Sequence, residues 1–98
     1  MNVRILESAW QDLWQGYAFY EEREPGVGEY FINQLFSEID SLSLHAGIHT
    51  RRHGCHRMLS RKFPYAVYYN IDQGEAVVRG VLDCRRDPLW IRRRLSRG

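Results

Sequence analysis

The segment FPYAVYYNI at residues 63–71 is followed by the turn DQG at residues 72–74 and by EAVVRGVLDCRRD at residues 75–87. Aromatic and β-branched residues fill both flanking runs, and Gly74 can take a positive φ, so the segment predicts two strands joined by a tight turn. The second strand, from Glu75 to Asp83, leads directly into Arg85 and Arg86. Guanidinium groups bind phosphates and carboxylates through paired hydrogen bonds, so this end of the sheet is a candidate anion-binding rim.

Two amphipathic helices are predicted before this hairpin, after a short strand over residues 2–6. Ser8 is the expected N-cap of the first helix, with Gln11 in the capping-box position. Its predicted apolar stripe contains Trp10, Leu13, Trp14, Tyr17 and Tyr20. Pro25 ends this helix, and a second helix over about residues 26–44 has the core positions Phe31, Leu35, Ile39 and Leu42.

The remaining segments complete the predicted order β-α-α-β-β-β. Residues 45–54 are expected to be a loop, residues 55–60 a short strand, and residues 88–95 a short basic helix or a trailing segment. Three successive strands favour an antiparallel meander, and the helical hairpin needs one face of that sheet to cover its apolar stripes. The sequence therefore predicts one α+β domain over residues 1–98, built in two layers.

Composition excludes several broad classes of protein. The chain has 98 residues and is 44% hydrophobic, which is enough for one core and argues against disorder. No apolar run is long enough to span a membrane, and the first residues lack the apolar core of a signal peptide, so we expect a cytoplasmic protein that does not bind membranes. Cys55 and Cys84 are expected to be free thiols, with Cys84 a small buried strand residue.

Charge is divided sharply between the two halves of the chain. Residues 1–47 hold two basic and eight acidic side chains, a net charge of −6, whereas residues 48–98 hold twelve basic and four acidic ones, a net charge of +8. Lys62 is the only lysine among the fourteen basic residues. This asymmetry indicates an acidic or polyanionic partner for the second half, although attraction between acidic helices and a basic sheet within one domain would produce the same pattern.

Phosphate binding is the chemistry that the arginines favour most. They fall into groups at the first meander strand, at the last strand and in the C-terminal segment, and aromatic side chains lie between them: Arg51, Arg52, Arg57, Arg61, Arg79, Arg85, Arg86, Arg92, Arg93, Arg94 and Arg97, with Tyr65, Tyr68, Tyr69 and Trp90. Aromatic rings beside arginines can stack on nucleic-acid bases. The alternative is a solvated basic face with the aromatic rings in the core.

Metal binding and cysteine catalysis receive less support. His49, His53, Cys55 and His56 lie within eight residues, but no second ligand pair follows at a zinc-finger distance, and neighbours in a strand point to opposite faces. Arg85 and Arg86 beside Cys84 could lower the pKa of its thiol, yet no helix N-terminus is predicted there. We therefore predict no metal site and no cofactor.

The stretches FPYAVYYNI (63–71) and VLDCRRDP (81–88) resemble the RelE/ParE superfamily of toxins from type II toxin–antitoxin modules. The opening strand, the SAWQDL helix start (8–13), the helical hairpin and the three final strands follow the family order. The resemblance implies a small bacterial toxin of the plasmid-stabilisation kind that inhibits growth and is neutralised by a cognate antitoxin. Such antitoxins wrap the toxin with an acidic and apolar segment, which suits the basic half of this chain.

The superfamily has two mechanisms, and the resemblance separates them residue by residue. RelE-type members cut mRNA on the ribosome with a base, phosphate-binding cations and an acid. Their last-strand arginine matches Arg85, whereas their two lysines fall near His56 and Met58, their middle-strand arginine at Tyr65, and their tyrosine near Trp90 or Ile91. An endoribonuclease reading would thus rest on Arg85 with Arg57 or His56.

ParE-type members instead poison DNA gyrase, and the Pro64–Tyr65 pair is more similar to that branch. The resemblance therefore favours gyrase as the target, with the ribosome and mRNA as the alternative and an inactive antitoxin-binding member as a third possibility. The tail from Trp90 to Arg97 and the helical hairpin are expected to contribute to antitoxin affinity. The residues expected to bind partners are Arg51, Arg52, Arg61, Tyr65, Arg86, Trp90, Arg92, Arg93 and Arg94.

Overall fold

A five-stranded mixed sheet forms the centre of the computed structural model, which describes residues 1–97. Its strands are β1 (Asn2–Ile5), β2 (Arg51–Arg52), β3 (Cys55–Leu59), β4 (Tyr65–Asp72) and β5 (Glu75–Asp83), in the spatial order β1-β5-β4-β3-β2. β1 runs parallel to β5, and every other neighbouring pair is antiparallel. The predicted α+β class and the β4–β5 hairpin are confirmed, and Gly74 in its turn has φ +77°.

The helical hairpin covers one face of this sheet. It consists of α1 (Glu7–Arg23) and α2 (Val27–Asp40), and the short α3 (Leu42–His45) follows. Two glycines let the helices approach closely, because a Cβ on Gly16 would lie 2.5 Å from the ring of Phe31 and one on Gly28 would lie 2.7 Å from the carbonyl oxygen of Tyr17. The buried core between helices and sheet includes Leu13, Phe31, Leu35, Ile39, Leu42, Val67, Tyr69 and Val78.

The opposite face of the sheet is not bare, so the prediction of two layers was wrong. Residues 88–96 form a fourth helix, α4 (Pro88–Ser96), whose first turn is capped by Asp87 accepting a hydrogen bond from the backbone N–H of Leu89. Ile91 and Leu95, four residues apart, are buried against a second apolar cluster made by Cys55, Ala66, Tyr68 and Leu82. An apolar stripe of only two residues gives a weak periodic signal in a segment rich in arginine.

Four local predictions also need correction. The first helix begins at Glu7 with Leu6 as its N-cap, so Ser8 lies inside the first turn. The side chain of Trp14 is half exposed and lies outside the core. Cys84 is exposed in the turn after β5, because the strand ends one residue earlier. The predicted loop over residues 45–54 contains β2, which pairs with the start of β3 through a turn at His53 and Gly54.

Within residues 1–97, none of the helices has the length and apolar character needed to cross a membrane.

Candidate functional site

The pleat of β3 divides the sequence-predicted site residues between the two faces of the sheet. Arg57 pairs with Tyr68 of β4, whose side chain belongs to the apolar cluster beneath α4. His56 pairs with Tyr69, whose side chain belongs to the core beneath α1 and α2. Because neighbouring strand residues point to opposite faces, His56 and Arg57 cannot act on the same ligand.

A basic cluster lies on the face that α4 covers, formed by Arg52, His53, Arg57 and Arg92. Burial lowers the pKa of His53, and the charges of Arg92, Arg52 and Arg57 lower it further, so the three arginines lie near enough to act on the imidazole. His53 also lies against the ring of Tyr68. The cluster offers converging positive charge and a neutral imidazole, which is a combination suited to an anion such as a phosphate.

Tyr68 and Cys84 lie beside this basic cluster. Burial raises the pKa of the Tyr68 hydroxyl, while a hydrogen bond with Arg57 works against that rise. Although Cys84 is exposed as a residue, neighbouring protein atoms partly desolvate its thiol and raise the pKa, and the charge of Arg57 opposes the shift. A thiol with a raised pKa is mostly protonated at neutral pH, so Cys84 is not set up as a nucleophile.

Arg85 points to the other side of the sheet, toward α1. Its guanidinium forms a two-point ion pair with Asp83, with Nε 3.0 Å from Oδ1 and Nη2 2.7 Å from Oδ2. These hydrogen bonds hold the pKa of Asp83 below its usual range. Tyr20 and Tyr65 lie near enough for their ionised forms to raise the pKa of Arg85. Arg85 is therefore engaged within its own turn and stands on the opposite face from the basic cluster.

Arg86 lies in a third environment, over the ring of Trp90 at 4.0 Å from its centroid. The pair borders a groove of about 200 Å³ between α1 and α4, whose walls also include Phe19 and Tyr65. Burial raises the pKa of Tyr65 to about 12, with the charge of Asp83 adding to the rise, so this phenol is a poor general acid at neutral pH. A cation over an aromatic ring, beside a groove with both polar and apolar walls, fits a protein partner.

His49 and His56, near β2 and β3, make structural contacts with Tyr69 and with each other. His56 stacks on Tyr69, and its Nδ1 lies 2.8 Å from the carbonyl oxygen of His49. His49 in turn hydrogen bonds to the hydroxyl of Tyr69, and burial lowers its pKa. Across residues 1–97, no three His, Cys, Asp or Glu side chains converge as metal ligands would.

The remaining predicted binding residues separate into free and engaged arginines. Arg51 donates to the carbonyl oxygen of Gly54, and Arg61 is exposed beside the end of β3. Arg92 and Arg93 are exposed on α4, whereas Arg94 is largely buried in an ion pair with Asp12 at 2.6 Å. Asp12 was not singled out from the sequence. The available signal is that an acid lies between Trp10 and Leu13 within the apolar stripe of α1.

Comparison with known proteins gives a structural match only. No protein-family model matches the chain, and no curated protein sequence matches it. A solved structure described as the chromosomal ParDE TA system from P. aeruginosa contains a chain with a TM-score of 0.75 to this one. The two chains share 15% identity, and the match covers 83% of this chain and 92% of that chain. The protein therefore has the ParE-like α+β fold that its resemblance to the RelE/ParE superfamily implied.

Proposed function

We propose that this chain is the toxin of a bacterial type II toxin–antitoxin module, acting in the cytoplasm and inhibiting growth by binding DNA gyrase without chemistry of its own. One observation carries the choice of mechanism. The residues that an endoribonuclease would need are held apart. Arg85 is bound to Asp83 on the α1 side of the sheet, whereas Arg57 lies on the α4 side. His56, the neighbour of Arg57 in β3, points to the opposite face. A phosphoryl-transfer site requires its groups to converge on one phosphate.

The cognate antitoxin of this proposal is an acidic and partly apolar protein. Exposed arginines lie on α4 and in the β2–β3 hairpin. Exposed aromatic side chains, such as Trp14, Tyr30 and Trp90, lie on the helices. Aromatic anchors beside arginines are typical of the centres of protein interfaces, and acidic residues would be steered to the basic half of the chain.

Induction in a bacterial host tests the toxin assignment. We expect expression of the chain to stop growth and expression of the product of the adjacent gene to restore it. The same arrest with Arg85→Ala is expected, because this arginine has no catalytic task in the proposed mechanism. Unimpaired growth at a verified level of folded protein would leave only the inactive, antitoxin-binding alternative.

A second candidate, a ribosome-dependent endoribonuclease, is favoured by the basic cluster. The charges of Arg52, Arg57 and Arg92 help to lower the pKa of His53, which favours the neutral imidazole, and a neutral imidazole can accept a proton from a ribose hydroxyl. Cutting of mRNA on programmed ribosomes tests this. An endoribonuclease of this design would lose cleavage in Arg57→Ala and His53→Ala but keep it in Arg85→Ala, whereas the gyrase proposal predicts no cleavage by any of the proteins.

A further inference from the structure

The hydroxyl of Tyr69 attaches the loop between α3 and β2 to the core. Tyr69 lies in β4 and is fully buried beneath α1 and α2. Its hydroxyl accepts a hydrogen bond from the backbone N–H of Gly47 at 2.9 Å and is also hydrogen bonded to Nδ1 of His49. Residues 46–50 belong to no helix or strand, and Ile48 between these two contacts is 75% exposed. One buried hydroxyl therefore holds two of the five loop residues.

The same contacts define the protonation state of His49. Because the hydroxyl of Tyr69 accepts from Gly47, its own proton needs an acceptor, and Nδ1 of His49 lies within reach. Nδ1 must then carry a lone pair, so the imidazole is neutral with its proton on Nε2. Burial lowers the pKa of His49 in agreement with this state, and the charges of His56 and His45 lower it further.

Protonation of His49 is incompatible with this arrangement. A hydrogen on Nδ1 faces the hydroxyl proton of Tyr69, and the other neighbour of that hydroxyl is the N–H of Gly47, which is itself a donor. A buried donor without an acceptor is destabilising, whereas both groups find partners in water. The charged form of His49 therefore favours a loop that has left Tyr69.

The strand and the helix beside the loop add positive charge rather than negative. His56 of β3 stacks on the ring of Tyr69, and its Nδ1 lies 2.8 Å from the carbonyl oxygen of His49. His45 ends α3, where the amino group of Met1 also lies, 3.1 Å from a backbone carbonyl oxygen. Acidification charges the histidines together, so each one opposes the protonation of the others within the docked loop.

A carboxylate that would offset this charge is engaged elsewhere. Glu38 of α2 lines the same groove as His49, opposite Arg61. Its carboxylate accepts hydrogen bonds from the side-chain amide of Gln34 and from the backbone N–H of Arg61. Residues 41–71 contain no acidic side chain. A protonated His49 thus gains no ion pair on its own segment by staying docked.

We propose that residues 46–50 form an acid-released loop, which is docked on Tyr69 while His49 is neutral and detaches when His49 is protonated. The inference does not depend on the target or the antitoxin of the proposed function. β2 follows the loop directly, and the carbonyl oxygen of Thr50 accepts the N–H of Arg57 at 2.9 Å. Detachment therefore also loosens the end of the sheet that carries Arg51 and Arg52.

The pH range follows from the direction of the shift. In a detached loop His49 is solvated and titrates at about 6.5, whereas its pKa is lower in the docked loop. The detached form then binds more protons between those two values, so docking is complete above about pH 6.5 and is lost as the pH falls below it.

Backbone ¹⁵N relaxation of the full chain at constant ionic strength tests the loop directly. We expect the order parameters of Gly47 and Ile48 to fall from about 0.85 at about pH 7.5 to below about 0.6 at about pH 5, while those of β4 and β5 stay high. Tyr69→Phe, which removes the hydroxyl, should leave the loop mobile at both pH values. It should also return the pKa of His49, followed by NMR, to its usual value.

Asparagine substitutions supply matched variants, since the amide accepts a hydrogen bond but does not titrate in this range. His49→Asn places its amide oxygen near the position of Nδ1, so the loop should stay docked at both pH values. His45→Asn should release the loop on acidification as the unmodified chain does. His53→Asn should do the same, because His53 lies against Tyr68 on the other face of the sheet.

Three results would overturn the inference. Order parameters at Gly47 and Ile48 that do not change with pH in the unmodified chain would refute the device. Release that persists unchanged in His49→Asn would assign it to another group. Simultaneous loss of order in β4 and β5 would show unfolding of the domain in place of a local release. If Tyr69→Phe fails to fold, the unmodified chain and His49→Asn decide.

Discussion

Asp12 of α1 and Arg94 of α4 form a buried ion pair at 2.6 Å that joins helices on opposite faces of the sheet. The carboxylate also accepts a hydrogen bond from the backbone N–H of Val81 at 3.1 Å, and Arg94 donates to the carbonyl oxygen of Arg79. β1 ends at Ile5, so within residues 1–97 no strand lies beside this part of β5 on the β1 side, whereas β4 pairs with it on the other side. The two side chains therefore satisfy edge groups that another strand would otherwise pair.

Removal of either Asp12 or Arg94 should lower the stability of the fold. Burial raises the pKa of Asp12 because the site is poorly solvated, while Val81 and Arg94 stabilise the ionised carboxylate. We expect Asp12→Ala to lower the free energy of unfolding by about 3 kcal/mol, since it leaves the buried guanidinium of Arg94 without its carboxylate partner. Urea unfolding measures this. The exposed pair of Arg4 and Glu75 is the control, and Arg4→Ala should cost less than about 1 kcal/mol. Equal losses in the two variants would contradict the structural role of the buried pair.

Gly16→Ala should destabilise the protein even though alanine is the better helix former. The helix preference would gain about 1 kcal/mol, but the added Cβ would lie 2.5 Å from the ring of fully buried Phe31, and overpacking costs about 1–3 kcal/mol. We expect a lower thermal midpoint by calorimetry. Phe31→Leu should be less harmful in the Gly16→Ala background than alone, because it makes room for the methyl group. A raised midpoint for Gly16→Ala would show that the helices can move apart without cost.

Acidification should destabilise the fold through His53. Its pKa is lowered in the folded chain by burial and by three arginines, whereas the unfolded chain titrates at about 6.5. Between those two values the unfolded state binds more protons, so stability falls as pH drops below about 6.5. Arg92→Gln should raise the pKa of His53 toward its usual value, as measured by NMR titration. Arg97→Gln should leave that pKa unchanged, and identical titrations in both variants would place Arg92 away from the imidazole.

Single substitutions in α4 can separate the effect of its packing on stability from the effect of its charge on antitoxin binding. Deletion of residues 90–98 would remove both contributions at once. Leu95→Ala should lower the free energy of unfolding by about 2–3 kcal/mol, because Leu95 is buried over Gly80 and Leu82. Arg93→Glu should change stability by no more than about 0.5 kcal/mol yet speed dissociation of the antitoxin complex. Binding kinetics measure the second effect. An unchanged dissociation rate at physiological salt would exclude Arg93 from the interface.

The sequence predicted the elements with strong periodicity and missed those fixed by tertiary contact. The β4–β5 hairpin and both long helices follow from alternation and helical spacing. β2 has only two residues, and its pairing with Cys55 and His56 depends on the turn at His53 and Gly54. The register of α4 depends on Ile91 and Leu95 meeting an apolar patch that exists only once β3, β4 and β5 have assembled.

The candidate site shows the same limit. Composition identified the arginines, but Arg85 and Arg86 are adjacent in sequence and diverge to Asp83 and to Trp90. Arg94 was expected to face a partner and is instead paired with Asp12. Which arginine is free is decided by the acids and rings that folding brings near it, and the sequence does not contain that information in local form.

Incubation of purified chain with DNA gyrase, ATP and plasmid tests the central claim most directly. The account predicts that gyrase–DNA cleavage complexes accumulate with increasing chain, that Arg85→Ala does the same, and that the product of the adjacent gene suppresses the effect. Normal supercoiling without cleavage complexes, together with cutting of mRNA on programmed ribosomes, would contradict it.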